Sequence, residues 1–242
     1  MEYIGLYISY GIVAVIVLIL YAYTSGKIWE EKLELEFEHP WREFVYAILA
    51  CMGVVTIGQL YVAGIRLPVT YPILDVVNQV LIFSPVILLV VLRDKSWKTV
   101  LITPKNVLYK LLSGLVLAIL AIVVYTSISG SNSLLSVLTN TYNIKNVHYL
   151  AQVFLEDITI AMLFVRLKKA SSLSVALFVV PCLFAFGHIP AMIANGVSTE
   201  AFLSLLLDAG LGFFLVYTIN KSNDILWFWM VHFAMDMMQF YA

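Results

Sequence analysis

Long apolar runs separated by short polar breaks recur along the whole chain. Each run has the length of one helical crossing of a bilayer, about 20 residues for a hydrocarbon core of roughly 30 Å. They predict helical spans at 3–23, 42–63, 72–92, 107–128, 147–167, 173–194, 201–219 and 224–241. The expected architecture is all-α: a polytopic membrane protein with about eight transmembrane helices, forming a single transmembrane domain over residues 1–242. No soluble domain, repeat or low-complexity tract interrupts it.

The breaks carry their own expectations. The longest polar stretch, Gly26 to Trp41, is acidic, and within it the segment from Lys32 to Glu38 alternates polar and apolar residues. With no partner strand in sight, this alternation suits a segment resting its apolar side on the headgroups, or else an element that binds a partner. Residues Ser129 to Asn146, rich in Ser, Asn, Thr and Gly, predict a flexible outer loop, either a solvated connection or a cover over a cavity mouth. Asp75, Asn78 and Gln79 fall near one end of the third span and are expected at the interface. Pro190 restricts Ile189 and predicts a bend just after His188.

Composition agrees with the pattern, since 62% of residues are hydrophobic and only 12% are charged. That excludes an ordinary soluble domain, and no basic tract suggests nucleic acid as a partner. A formal net charge of -1 hides an asymmetry: Lys27, Lys32, Arg42, Arg93, Lys95, Lys98, Lys105, Lys110, Arg166, Lys168, Lys169 and Lys221 all belong to the odd connections and their helix ends. Only Arg66 and Lys145 belong to the even ones. Positive charge marks the cytoplasmic side, so both termini are expected outside, with a bacterial plasma membrane as the setting. The first span, with no positive segment before it, is expected to be a retained anchor rather than a cleaved signal. Cys51 and Cys182 lie within spans and are read as buried, inert thiols. The sequon at Asn220 falls on the cytoplasmic side and is discounted.

Against this background, Glu156, His188, His232 and Asp236 stand out, because each is an ionisable residue within an apolar span. Such groups are costly at membrane depth unless they face one another or a wet cavity. Three helices are therefore expected to converge on a polar site. Glu156 and Asp157 are adjacent, and neighbours on a helix diverge by about 100°; one is expected to face the cavity and the other to buttress it. Phe184 and His188 are spaced i,i+4, as are His232 and Asp236, so each pair shares a helical face. The second pair either fixes a histidine for chemistry or merely welds helices together. Asp208 is a further acid within a span, suited equally to lining the cavity and to bonding a neighbouring helix.

The order of an acid pair, then Phe184-x-x-x-His188, then His232-x-x-x-Asp236, each in its own span, resembles the CPBP family of intramembrane proteases. That family includes the type II CAAX prenyl proteases and bacteriocin-processing membrane proteins. The likeness centres on residues 147–241, and the run Gly210 to Tyr217 is similar in texture to the family's glycine-containing seventh span. The resemblance implies a CAAX-protease-like helical bundle and an intramembrane endopeptidase acting on a membrane-associated peptide or protein. Glu156 would activate water, His188 would help hold it, His232 would stabilise the oxyanion and Asp236 would orient His232, with Asp157 and Phe184 in support.

The chain departs from the family's Glu-Glu-x-x-x-Arg pattern, having Asp157 in place of the second Glu and Ala161 in place of the Arg. Arg166 is no substitute: ten helical residues separate it from Glu156, about 15 Å along the axis. Asp157 must therefore be protonated or find another partner. These departures motivate an alternative, an inactive relative that scaffolds or regulates a membrane-protein partner. No cofactor is expected, although zinc held by Glu156, His188 and His232 is a competing possibility. A proton-coupled transporter would also place acids and histidines in spans, but no inverted repeat supports it.

Overall fold

The computed structural model describes residues 2–24, 35–94, 96–129, 133–194, 196 and 199–241. Among them the chain is helices and turns, without a strand. The helices are α1 (Glu2–Thr24), α2 (Pro40–Val62), α3 (Pro72–Ile82), α4 (Ser84–Leu88), α5 (Val107–Ser129), α6 (Leu134–Thr141), α7 (Val147–Ala170), α8 (Leu173–Gly187), α9 (Ile189–Ala194), α10 (Thr199–Ser222) and α11 (Leu226–Tyr241). Three of them, α1, α2 and α5, are long and apolar enough to cross a membrane singly. A fourth candidate is the bent pair 72–82 and 84–94.

Two expected spans are broken, each beside a proline. The helix over 72–94 bends by 61° after Ile82, where Pro85 has no N–H to offer the carbonyl of Leu81. The Ser84 hydroxyl donates to that carbonyl instead, at 2.7 Å. Beyond Leu88 the backbone widens into π-helical turns over Leu89–Asp94. In the second break, α8 ends at Gly187 and His188 occupies the junction with α9. Pro190 has no N–H to offer the Phe186 carbonyl, and the helix is interrupted at the histidine, the position just before Ile189 and Pro190.

α7 is the centre of the bundle. From Ile160 to Leu167 every residue is buried, with α2, α3, α8 and α11 packed around it. Elsewhere small residues permit close approach, as is usual where packing rather than water drives helix association. A Cβ on Gly114 would stand 2.5 Å from the Trp227 carbonyl oxygen, so α5 and α11 meet backbone to backbone. A Cβ on Gly212 would stand 2.9 Å from Pro181 Cβ, which brings α10 against α8.

Ion pairs staple the end of the bundle where the positive connections gather. Lys110 and Asp224 are both buried, with Nζ 2.6 Å from Oδ2, and Thr103 donates to the same oxygen at 3.2 Å. Asp224 Oδ1 also accepts from the Leu226 N–H at 2.8 Å and caps α11. Arg166 is wholly buried and pairs with Asp94. It therefore lies far along α7 from the acid pair, as its spacing implied. Arg93 grips Glu43 with two bonds of 2.8 and 2.6 Å.

One expectation about the connections is corrected. The segment 129–146 is not a loop throughout, because 134–141 forms α6. Ser133 caps it by accepting from the Ser136 N–H, and Val137 is buried in the main core. Val137 and Leu138 turn to the core while Leu134 and Leu135 are exposed, and α6 packs on α5 and α11. Asp75, Asn78 and Gln79, near one end of the expected third span, are buried within the protein. Asp75 accepts from the Tyr61 hydroxyl and from Asn78 Nδ2, both at 3.0 Å, while Asn78 bonds the N–H and carbonyl of Leu67. This polar knot folds the 63–71 turn back onto α3. Of the alternating stretch from Lys32 to Glu38, residues 32–34 lie outside the described residues, and Leu35 and Phe37 pack against the main core rather than turning outward. The side chain of Asp208 also lies outside the described residues.

Candidate active site

A cavity of about 450 Å³ opens among α1, α7, α8, α10 and α11. Glu156, His188, His232 and Asp236 all line it, within walls otherwise mostly apolar. The three converging helices expected from the polar residues are therefore α7, α8 and α11, and α10 and α1 close the remaining sides.

Cross-links between α7 and α11 hold their registers. The Trp229 indole donates to the Leu150 carbonyl at 2.8 Å, and the Tyr241 hydroxyl donates to Asn146 Oδ1 at 2.9 Å. With the two helices so fixed, Glu156 and Asp157 divide as their 100° divergence requires. Glu156 faces the cavity, accepting at Oε1 from Gln152 Nε2 at 2.9 Å, one turn earlier on the same face. Asp157 is buried behind it, 2.8 Å from His232 Nδ1.

His232 is held on several sides. Phe228 stacks on its ring at 5.3 Å, and Phe184 meets it edge-on at 6.5 Å. Its Nε2 lies 3.7 Å from Asp236 Oδ1, an ion-pair approach longer than a hydrogen bond. Glu156, His232 and Asp236 each present an oxygen or nitrogen within 4.8 Å of the others. One imidazole and two carboxylates make a donor set that a zinc ion accepts.

His188 stands apart from that close trio. Its Nδ1 is 2.9 Å from the Phe184 carbonyl oxygen, and the two rings meet edge to face at 4.7 Å. A carbonyl only accepts, so Nδ1 carries the hydrogen and Nε2 of the neutral ring is an acceptor.

Several residues at the cavity carried no mark in the sequence. Gln152 and Phe228 sit four residues before Glu156 and His232, and that i,i+4 spacing was the available signal. Tyr7 and Tyr10 of α1 line the cavity from more than a hundred residues away, and no local pattern announces such a contact. No described residue of α6 lines the cavity, so the segment expected as a possible cover packs elsewhere.

Residues 147–238, from the first residue of α7 nearly to the end of α11, match the family described as type II CAAX prenyl endopeptidase Rce1-like. No curated protein and no solved structure matches the chain. The Rce1-like segment contains all four cavity residues that prompted the CPBP resemblance, and it agrees with that family assignment. The protein is an integral membrane protein whose matched segment is that of a protease family.

Proposed function

We propose that this protein is an intramembrane endopeptidase that hydrolyses a peptide bond in a membrane-associated peptide or protein. The observation that carries the reading is the gathering of Glu156, His232 and Asp236 within 4.8 Å on the wall of a largely apolar cavity. Glu156 is the general base. It takes a proton from a water whose oxygen adds to the scissile carbonyl carbon. His188, with its Nε2 free to accept, holds that water. His232 acts as an imidazolium and donates from Nε2 to the oxyanion that forms, with Asp236 orienting it. When the tetrahedral intermediate collapses, the C–N bond breaks and the amine leaves with the proton that Glu156 had taken.

The reaction in this reading needs no metal, because base and oxyanion donor are both side chains. The alternative of an inactive scaffold rested on the missing Arg at position 161. His232 now stands at Asp157 as an alternative partner, so that departure no longer argues for inactivity. We place the protein in a bacterial plasma membrane with both termini outside, and a C-terminal reporter that scores as cytoplasmic would reverse the orientation.

The test uses purified protein in liposomes with membrane-anchored peptides, prenylated in one arm and unprenylated in the other. New termini are read by mass spectrometry. Cleavage by the wild type that is lost in E156Q is expected. Cleavage that survives in E156Q overturns the assigned mechanism, and the two arms sort the substrate class.

A further inference from the structure

We propose that Asp157 is the positioning residue of this site: it fixes the ring of His232, and His232 supplies the partner that the acid motif lacks at Ala161. The proposal deepens the endopeptidase reading and rests on it. Asp157 Oδ1 lies 2.8 Å from His232 Nδ1, across 75 residues of sequence. The Asp157 side chain is 0% exposed. It does not line the cavity, so it acts only through the histidine.

Three features make the contact specific. Asp157 has no second protein partner, since its Oδ2 is buried without one. One turn later Ala161 offers only a buried methyl group. An acid released from His232 would therefore be a buried carboxylate with no bond at all, which is strongly unfavourable. The third feature is the aromatic setting. Phe228 stacks on the imidazole and restricts its plane, but a stacked ring still tolerates a flip that exchanges its nitrogen and carbon edges. A hydrogen bond at Nδ1 does not tolerate it. Asp157 thus settles the one freedom that the aromatic contacts leave, and it directs Nε2 toward Asp236, where the oxyanion donor is required.

The experiment pairs ring NMR with kinetics on the full chain in detergent micelles, labelled with ¹⁵N-histidine. In the wild type, His232 gives a slowly exchanging, hydrogen-bonded Nδ1–H resonance, assigned by its loss in H232Q. In D157L that resonance is lost, while the Nδ1–H of His188, which faces the Phe184 carbonyl, stays in place and reports an intact fold. In D157N, kcat falls on the order of 10³-fold with KM little changed. A wild-type protein lacking the His232 resonance overturns the proposal, as does D157L with the resonance unchanged. If D157L does not fold, the wild-type spectrum and the D157N kinetics decide. A wild-type protein that shows the resonance but cleaves nothing removes the endopeptidase reading while leaving Asp157 as the group that sets the His232 ring. Failure of the one is thereby told from failure of the other.

Discussion

The two ends of this bundle treat buried charge in opposite ways. At the stapled end each fully buried cation has its own acid, Lys110 with Asp224 and Arg166 with Asp94, and threonine hydroxyls meet the same carboxylates. Beside the cavity, three carboxylates, Glu156, Asp157 and Asp236, surround the imidazole of His232, and one oxygen of Asp157 has no partner. One-to-one pairing suits a joint. A surplus of acceptors around a single histidine, beside open space, suits a site that must receive water and a peptide. The contrast predicts that charge substitutions at the stapled end cost stability, whereas those at the cavity cost activity.

The largest effects should separate along that line. E156Q keeps the shape of the side chain and removes the base, so turnover should fall on the order of 10²–10⁴-fold. Its thermal unfolding midpoint should stay level or rise, because an acid at membrane depth has been neutralised. K110M should do the reverse. Stranding Asp224 costs about 3–5 kcal/mol and lowers the unfolding midpoint in detergent, and K110M/D224L should recover most of that loss. If E156Q unfolded as readily as K110M, the cavity acids would be structural and the comparison would collapse.

Smaller substitutions test how α11, which carries His232 and Asp236, is held. The Cβ added by G114A would stand 2.5 Å from the Trp227 carbonyl oxygen. Because backbone must shift to admit it, a loss of about 1–3 kcal/mol is expected. Activity should fall with stability here, since Trp227 lies five residues before His232 on the same helix. An unchanged midpoint in G114A would mean that α5 and α11 stand further apart than described.

How far these regions could be read from sequence follows from the range of their contacts. Phe184 with His188 and His232 with Asp236 were legible because i,i+4 spacing is a property of one helix, and both pairs share a face as expected. The division of Glu156 from Asp157 was legible for the same reason. That His232 is what Asp157 contacts was not, because it depends on the rotation of α7 against α11, set by cross-links such as Trp229 to Leu150. The partner of Arg166 was hidden likewise, since Asp94 is 72 residues away at the end of a π-helical stretch. The loop expected over 129–146 failed differently. Its polar composition as a whole points to a loop, while two apolar residues within it, Val137 and Leu138, are enough to seat α6 on the core.

The smallest predicted effect sharpens the comparison most closely, because it concerns a residue that touches the reacting groups at one remove. Gln152 donates to Glu156 Oε1 at 2.9 Å, a bond to one oxygen of the proposed base. Q152L removes the donor and keeps most of the side-chain volume. Loss of one hydrogen bond to a charged group is worth about 1.5–3 kcal/mol, but Glu156 borders the cavity and water can replace the amide, which leaves a fall in kcat of roughly tenfold. Stability should be unchanged, because Gln152 also borders the cavity and repacks nothing when shortened. A steady-state assay on Q152L beside E156Q decides the point. A fall as deep as that of E156Q would make Gln152 an essential partner of the base. No fall would mean that water already satisfies Glu156, and the cavity would then be wetter than its apolar walls suggest.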